Sequence, residues 1–206
     1  MNVTLLLAFP FNSFSQEQAA APTYKDGDFW VFRITNNDRM GTNSARREGE
    51  YQVSYVGRAL KVSRLVGEET GDVESLGGNL RGMFGIESKN KRYQYLQFPL
   101  IVGQTWTRDY EYSGSQGRGQ FALRRRTAKQ SVVGLEQITT PAGTFRTFKI
   151  ESDRIGAGQG GDVLVLLYHY SAETKSIVKL LMSRSGQAGQ DRGQTEIELI
   201  KFGTAP

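Results

Sequence analysis

The run Val163-Leu164-Val165-Leu166-Leu167-Tyr168-His169-Tyr170 is apolar on both parities of a strand, and Ile177-Val178-Lys179-Leu180-Leu181-Met182 is nearly so. Successive side chains of a strand point to opposite faces, so strands of this kind need cover on both sides of their sheet. A second layer, a helix, a ligand or a partner can supply that cover. Helix is scarce here, because 24 glycines and an aromatic content of 11% favour strands and turns. The economical solution is a curved sheet that closes toward itself. The chain is therefore expected to be all-β: an antiparallel, strongly curved sheet, half-barrel or open barrel, built mostly of up-and-down hairpins.

The clearest hairpin lies between Val132 and Glu151 and turns at Thr140-Pro141-Ala142-Gly143. Pro141 presets φ for the second position of a tight turn, and Gly143 suits the fourth. Phe148 and Ile150 alternate with Thr147, Lys149 and Glu151, which gives the second arm one apolar face. Upstream, residues 119–139 contain no proline, so we expect one long bent strand with a bulge at Gly134; two strands turning near Ala128-Lys129-Gln130 are the alternative. If the strand is single, the loops 113–118, 156–161 and 185–192 fall at one end of the sheet and the tight turns at the other.

Earlier elements repeat the device. Gly27-Asp28-Phe29-Trp30 opens a strand that Asn36-Asn37-Asp38 is expected to break. A hairpin follows around Gly57-Arg58, with Leu60, Val62 and Val66 on one parity. Gly103-Gln104-Thr105-Trp106 repeats the Gly-x-x-Trp of 27–30 with the only other tryptophan. In the final strand, Ile197 and Leu199 share one parity while Ile200 and Phe202 share the other. Residues 67–90 are glycine-rich and are expected to form a loop-rich insert rather than a helix.

Val3 to Phe14 is an apolar run of signal-peptide length, too short to span a bilayer, with polar residues after it. Residues 1–21 are expected to be a signal peptide, cut before Gln16 or within 19–21, ahead of a single β domain over 22–206. No basic residue precedes the run, which fits a true start further upstream. No later run is long enough to anchor the mature chain. A periplasmic or secreted location follows. The sequence holds no cysteine, which removes disulfides, thiolate metal sites, a cysteine nucleophile and a lipid-modified cysteine.

Four blocks resemble a known group: residues 98–106, the 134–136 and 141–145 pair, residues 170–179, and Glu196-Ile197-Glu198-Leu199. The chain is similar to uncharacterised exported bacterial β-proteins that look related to the lipoprotein-carrier (LolA-like) half-barrel. The resemblance covers roughly the C-terminal half and the Gly-Asp-Phe-Trp segment. It implies a curved antiparallel sheet in the envelope and no catalytic residue.

Chemical motifs are few. Gly156-Ala157-Gly158-Gln159-Gly160-Gly161 fits Gly-x-Gly-x-x-Gly, but a dinucleotide site needs a helix next, and a β-rich run follows. His169 is the single histidine and lies in a strand, without a nucleophile elbow elsewhere. Trp106, Tyr110 and Tyr112 alternate along one strand, and with Phe121 and Leu123 they are the candidate apolar ligand site. Arg124 and Arg126 form the candidate basic patch. The net charge of +5 suits lipid headgroups or polysaccharide, while export argues against nucleic acid. No cofactor or metal is expected. The favoured function is a non-catalytic binding or structural module that holds an apolar or amphiphilic ligand, such as a lipid, on the concave face, with an envelope protein as another candidate partner. The alternatives are a hydrolase of envelope polysaccharide using Asp109, Glu111 or Glu136, and a protein-interaction module using the three loops.

Overall fold

The computed structural model describes residues 17–40, 43–67, 80–85, 95–117, 120–156, 163–186 and 188–205, with side chains described at all of these except 40, 43, 110–117 and 120–126. Its strands are β1 (Gln18–Ala19), β2 (Phe29–Met40), β3 (Asn43–Val56), β4 (Ala59–Gly67), β5 (Leu100–Ile101), β6 (Thr105–Gly117), β7 (Gln120–Thr140), β8 (Gly143–Ser152), β9 (Ile155–Gly156), β10 (Val163–Ser171), β11 (Ser176–Ser185) and β12 (Asp191–Gly203). One antiparallel sheet runs β4-β3-β2-β12-β11-β10-β8-β7-β6, with β9 beside β10, and β1 pairs with β5 in a separate ribbon.

Two meanders make this sheet. The first is β2-β3-β4 and the second runs from β6 to β12. They join where β12 pairs with β2, Ile197 opposite Ile34 and Gly203 opposite Phe29. The chain between β4 and β6 passes from one edge of the sheet to the other. The sheet is curled rather than flat. β7 and β12 stand four places apart, which a flat sheet would separate by about 19 Å, yet their Cα atoms come within 8 Å. The Phe145 and Phe202 rings bridge β8 and β12 at 5.8 Å between centroids. The sheet does not close into a barrel: β4 and β6 remain its two edges.

Local chemistry explains the turns. Gly57 and Arg58 both take positive φ, 59° and 66°, at the β3–β4 hairpin, the backbone of a two-residue turn whose twist matches its strands. β7 is one strand, shifted in register between Val132 and Gly134 where the glycine suggested a bulge. The β6–β7, β8–β10 and β11–β12 connections accordingly lie at one end of the sheet, and the turns at 141–142 and 172–175 lie at the other.

Three expectations are corrected. Asn36, Asn37 and Asp38 do not break β2, because they pair with β3 on one side and β12 on the other, and those ladders outweigh local turn preference. Val66 does not share the half-buried side of Leu60 and Val62. A register shift sets it opposite Glu50 and leaves it 61% exposed. The glycine-rich insert is not wholly loop. Its described part contains a helical turn at 80–82, and Leu80, Met83 and Phe84 are fully buried. The double parity of the last strand also has a cause. Leu199 opposes Phe32 and Lys201 opposes Val31, so Ile200 is the extra residue of a bulge and Phe202 returns opposite Trp30.

The core lies on one face of the sheet. Trp30, Phe32, Ile34, Tyr51, Val53, Ile150, Leu166, Tyr168, Tyr170, Leu180, Ile197 and Leu199 form it together with Leu80, Met83, Phe84, Tyr95, Leu96 and Leu100 from the edge-to-edge connection. On the other face of β10, Val163, Val165 and Leu167 stay half-buried, so the cover expected on both sides is supplied on the inner side, by that connection. It is pinned by Ile177 N–H donating to the Met83 carbonyl (3.0 Å) and by Trp30 and Phe84 ring centroids 4.6 Å apart.

Candidate functional site

The inner face changes character as it reaches β6 and β7. Trp106 and Arg108 alternate with exposed Thr105, Thr107 and Asp109, and both are buried. The register sets Trp106 opposite Gln130 and Arg108 opposite Ala128. Gln130 is fully buried. The Tyr168 hydroxyl lies 2.8 Å from its Oε1 and 2.7 Å from the Tyr95 carbonyl, sharing one proton between them. The Arg108 guanidinium carbon sits 3.9 Å from the centre of the Tyr95 ring, a cation on an aromatic face. Tyr95 meets Tyr168 edge-on at 5.7 Å. The indole Nε1 of Trp106 is buried and has no acceptor among the described residues. A buried N–H donor left without a partner costs free energy that a bound acceptor would recover.

Beyond Arg108 the two strands run on as a pair. Tyr110 stands opposite Arg126, Glu111 opposite Arg125 and Tyr112 opposite Arg124. The Tyr110–Arg126 and Tyr112–Arg124 pairs continue the parity of Trp106 and Arg108, and Glu111 and Arg125 take the other. Leu123 is opposite Ser113 and Phe121 opposite Ser115, which is the other parity. The register thus joins Tyr110 and Tyr112 to the basic patch rather than to Phe121 and Leu123. The side chains of Tyr110, Tyr112, Phe121, Leu123, Arg124 and Arg126 lie outside those described.

The outer face carries a different constellation. Lys179 bonds Glu196 at 2.6 Å and Glu198 at 3.5 Å, and Arg33 bonds Glu50 at 3.1 Å. His169 is buried between Lys179 on β11 and Lys149 on β8. Its Nε2 contacts the Glu136 carboxylate, while Nδ1 has no partner among the described residues. Burial holds the imidazole pKa below its ordinary value, helped by the two lysines and opposed by Glu136. Glu136 also lies 3.8 Å from Lys149. Its partners are a histidine and a lysine rather than a second acid, and Asp109 is exposed; the Glu111 side chain lies outside those described. Lys149 also lies 3.5 Å from Glu151, which completes an alternating line of acid and base among the described residues. Those residues also include no group of three or more His, Asp or Glu able to hold a metal ion. Residues 157–161 of the glycine motif, and Asp162 after it, lie outside the described residues, and strand β10 begins at Val163.

A third cluster escaped the sequence altogether. Asp28, fully buried, accepts N–H groups from Lys25 (3.0 Å) and Ala205 (2.8 Å) and pairs with Lys175 Nζ at 3.2 Å. The backbone donors and Lys175 outweigh burial and hold the Asp28 carboxyl below the usual carboxylate range, although burial is the largest single influence. Trp30 Nε1 donates to the Thr174 carbonyl at 2.6 Å. The Tyr24 hydroxyl lies 2.5 Å from the Phe84 carbonyl and 2.8 Å from that of Lys175, and burial pushes its pKa up. Two separate sequence blocks, 27–30 and 170–179, meet here, and the contacts are architectural.

No family profile matches the chain, and no curated protein matches it. Among solved structures it is similar to a protein of Bacteroides fragilis described as exported and of YmcC-like fold, at 12% identity and a TM-score of 0.37, over 90% of this chain and 100% of that one. It is also similar to YmcC of Escherichia coli, described as a hypothetical lipoprotein, at 14% identity and 0.37, over 86% and 85% of the two chains. A Parabacteroides distasonis protein described as a lipoprotein aligns at 10% identity and 0.35, over 91% and 100%. No helix among the described residues is long and apolar enough to cross a membrane.

Proposed function

We propose that this chain is an exported, non-catalytic envelope module that holds an amphiphile at the β6–β7 end of its inner face. The observation that carries this reading is the buried Trp106 Nε1 without an acceptor, two residues from the buried cation of Arg108 on the same face. The indole N–H supplies a donor suited to a polar head, and the positive charge of Arg108 nearby favours an anionic one. Tyr110 and Tyr112, with Arg124 and Arg126 at opposing register positions, continue that parity outward. The rest of the inner face is covered by the chain itself through Leu80, Met83, Phe84, Tyr95, Leu96 and Leu100. The ligand is therefore confined to this end rather than spread along the concavity. Phe121 and Leu123 stand on the other parity of the ribbon. Kinship with the lipoprotein-carrier half-barrel is part of the same reading. Paired-acid hydrolysis has no support, since Glu136 is engaged by His169 and Lys149.

Native mass spectrometry of the exported protein tests this. A solvent-extractable added mass is expected in the wild type and is expected to be lost in Trp106→Ala/Arg108→Ala. A bare mass for correctly folded wild type would sink the reading. It would then favour protein recognition through the three connections that share one end of the sheet.

A further inference from the structure

We infer that the β6–β7 ribbon docks the protein on an anionic phospholipid bilayer. The inference rests on the ribbon's charge and register and does not require ligand carriage, although Tyr110, Tyr112, Arg124 and Arg126 enter both readings. Three observations carry it. First, β7 last pairs with β8 at Gln130 opposite Ser152, and the Lys129 carbonyl accepts the Asp153 N–H; past that point β6 is the only hydrogen-bonded strand partner of β7 among the described residues. Nine residues from Ala128 to Gln120 at about 3.3 Å each extend the ribbon roughly 30 Å. Second, residues 105–130 hold Arg108, Arg118, Arg124, Arg125, Arg126 and Lys129 against Asp109 and Glu111, a formal +4 of the whole chain's +5. The remainder of the chain is nearly neutral, so its basic character belongs to one hairpin. Third, two tyrosines stand opposite two arginines, Tyr110 with Arg126 and Tyr112 with Arg124, and Phe121 and Leu123 lie nearer the tip.

Each part has a counterpart in a lipid surface. Arginines pair with phosphate oxygens in bidentate geometry. Tyrosines favour the headgroup level, where an apolar ring and a polar tip are both satisfied. The apolar residues nearer the tip suit the acyl boundary. An acidic polysaccharide would use the charges and leave Phe121 and Leu123 without a role.

Flotation of the mature full-length chain with vesicles decides the matter. Binding is expected to phosphatidylcholine vesicles containing about one-quarter phosphatidylglycerol, and not to phosphatidylcholine alone. At roughly 1 kcal/mol per basic residue, Arg124→Gln/Arg126→Gln is expected to lower partitioning about thirtyfold. The same charge change at the opposite edge of the sheet, Lys61→Gln/Arg64→Gln on β4, is expected to leave partitioning unchanged. Raising salt toward 1 M is expected to release wild-type protein. Equal binding to neutral vesicles, insensitivity to salt, equal loss in both variants, or binding to a soluble acidic polysaccharide without binding to vesicles would each overturn the inference.

Discussion

Lys175 Nζ lies 3.2 Å from the buried carboxylate of Asp28 across 147 residues of chain, so the start of β2 is fastened to the turn between β10 and β11. Lys175 holds that turn at a φ of 59°, a left-handed conformation that non-glycine residues seldom adopt. Removing the carboxylate takes the acceptor from three donors, the N–H groups of Lys25 and Ala205 and the Lys175 ammonium. Asp28→Ala is expected to cost about 3 kcal/mol in urea unfolding.

The same carboxylate sets an acid limit. Its folded pKa is depressed, so its stabilisation is complete above the ordinary carboxylate value of about 4 and is lost as pH falls through the folded value. The melting temperature of the wild type is expected to drop more steeply below pH 4 than that of Asp28→Asn. Parallel curves for the two proteins would count against this assignment.

His169 imposes a second dependence near neutrality. Its pKa is lowered by burial, so the unfolded chain takes up a proton first as pH falls. Stability is full above about 6.5 and declines below that value toward the folded pKa. Imidazole titration by NMR should give a midpoint below the ordinary value. Glu136→Gln removes the opposing carboxylate and is expected to lower that midpoint further.

Phe84 tests the role of the crossing segment. It is fully buried and meets Trp30, Phe32 and Tyr24 edge-on, at 4.6, 6.1 and 6.0 Å between ring centroids. Phe84→Ala is expected to cost about 3–5 kcal/mol by chemical denaturation. A cost below about 1 kcal/mol would mean that this segment covers the face without supporting it.

The N-terminus gives a fifth check. Ala19 is buried and pairs with Leu100, and Glu17 pairs with Arg146. Cleavage before Gln16 keeps these contacts, whereas cleavage within 19–21 removes β1. If the chain is processed at its N-terminus, its intact mass is expected to match a chain starting at Gln16.

The strands were legible because alternation and turn chemistry are local. The Gly57-Arg58 hairpin, the unbroken β7 and the bulge near Gly134 all follow from residues within a few positions. The break expected at 36–38 failed because two flanking strands, neither visible locally, supply hydrogen bonds to those asparagines. The double parity of Val163–Tyr170 announced that cover was needed and could not say by what. On the inner face the answer is Leu80, Met83 and Phe84, set among glycines, with Tyr95 and Leu96, and none of these follows a strand period. The Trp106 and Arg108 alternation was readable, and both residues are buried on one face. The Tyr95 ring beneath Arg108 was not, because that partner comes from a segment without secondary-structure signal.

The pairing of β2 with β12 places a seam between residues some 160 positions apart in the middle of the sheet. Each meander can zip locally, but the seam cannot form until both exist and until the intervening chain has crossed the face. Loop-closure entropy makes such a long-range step slow. Refolding should therefore show local strand formation first and complete protection of the Ile34–Ile197 region last. A nascent chain would carry an unpaired β2 edge until its final strand is synthesised, an edge open to wrong pairing for all of that time.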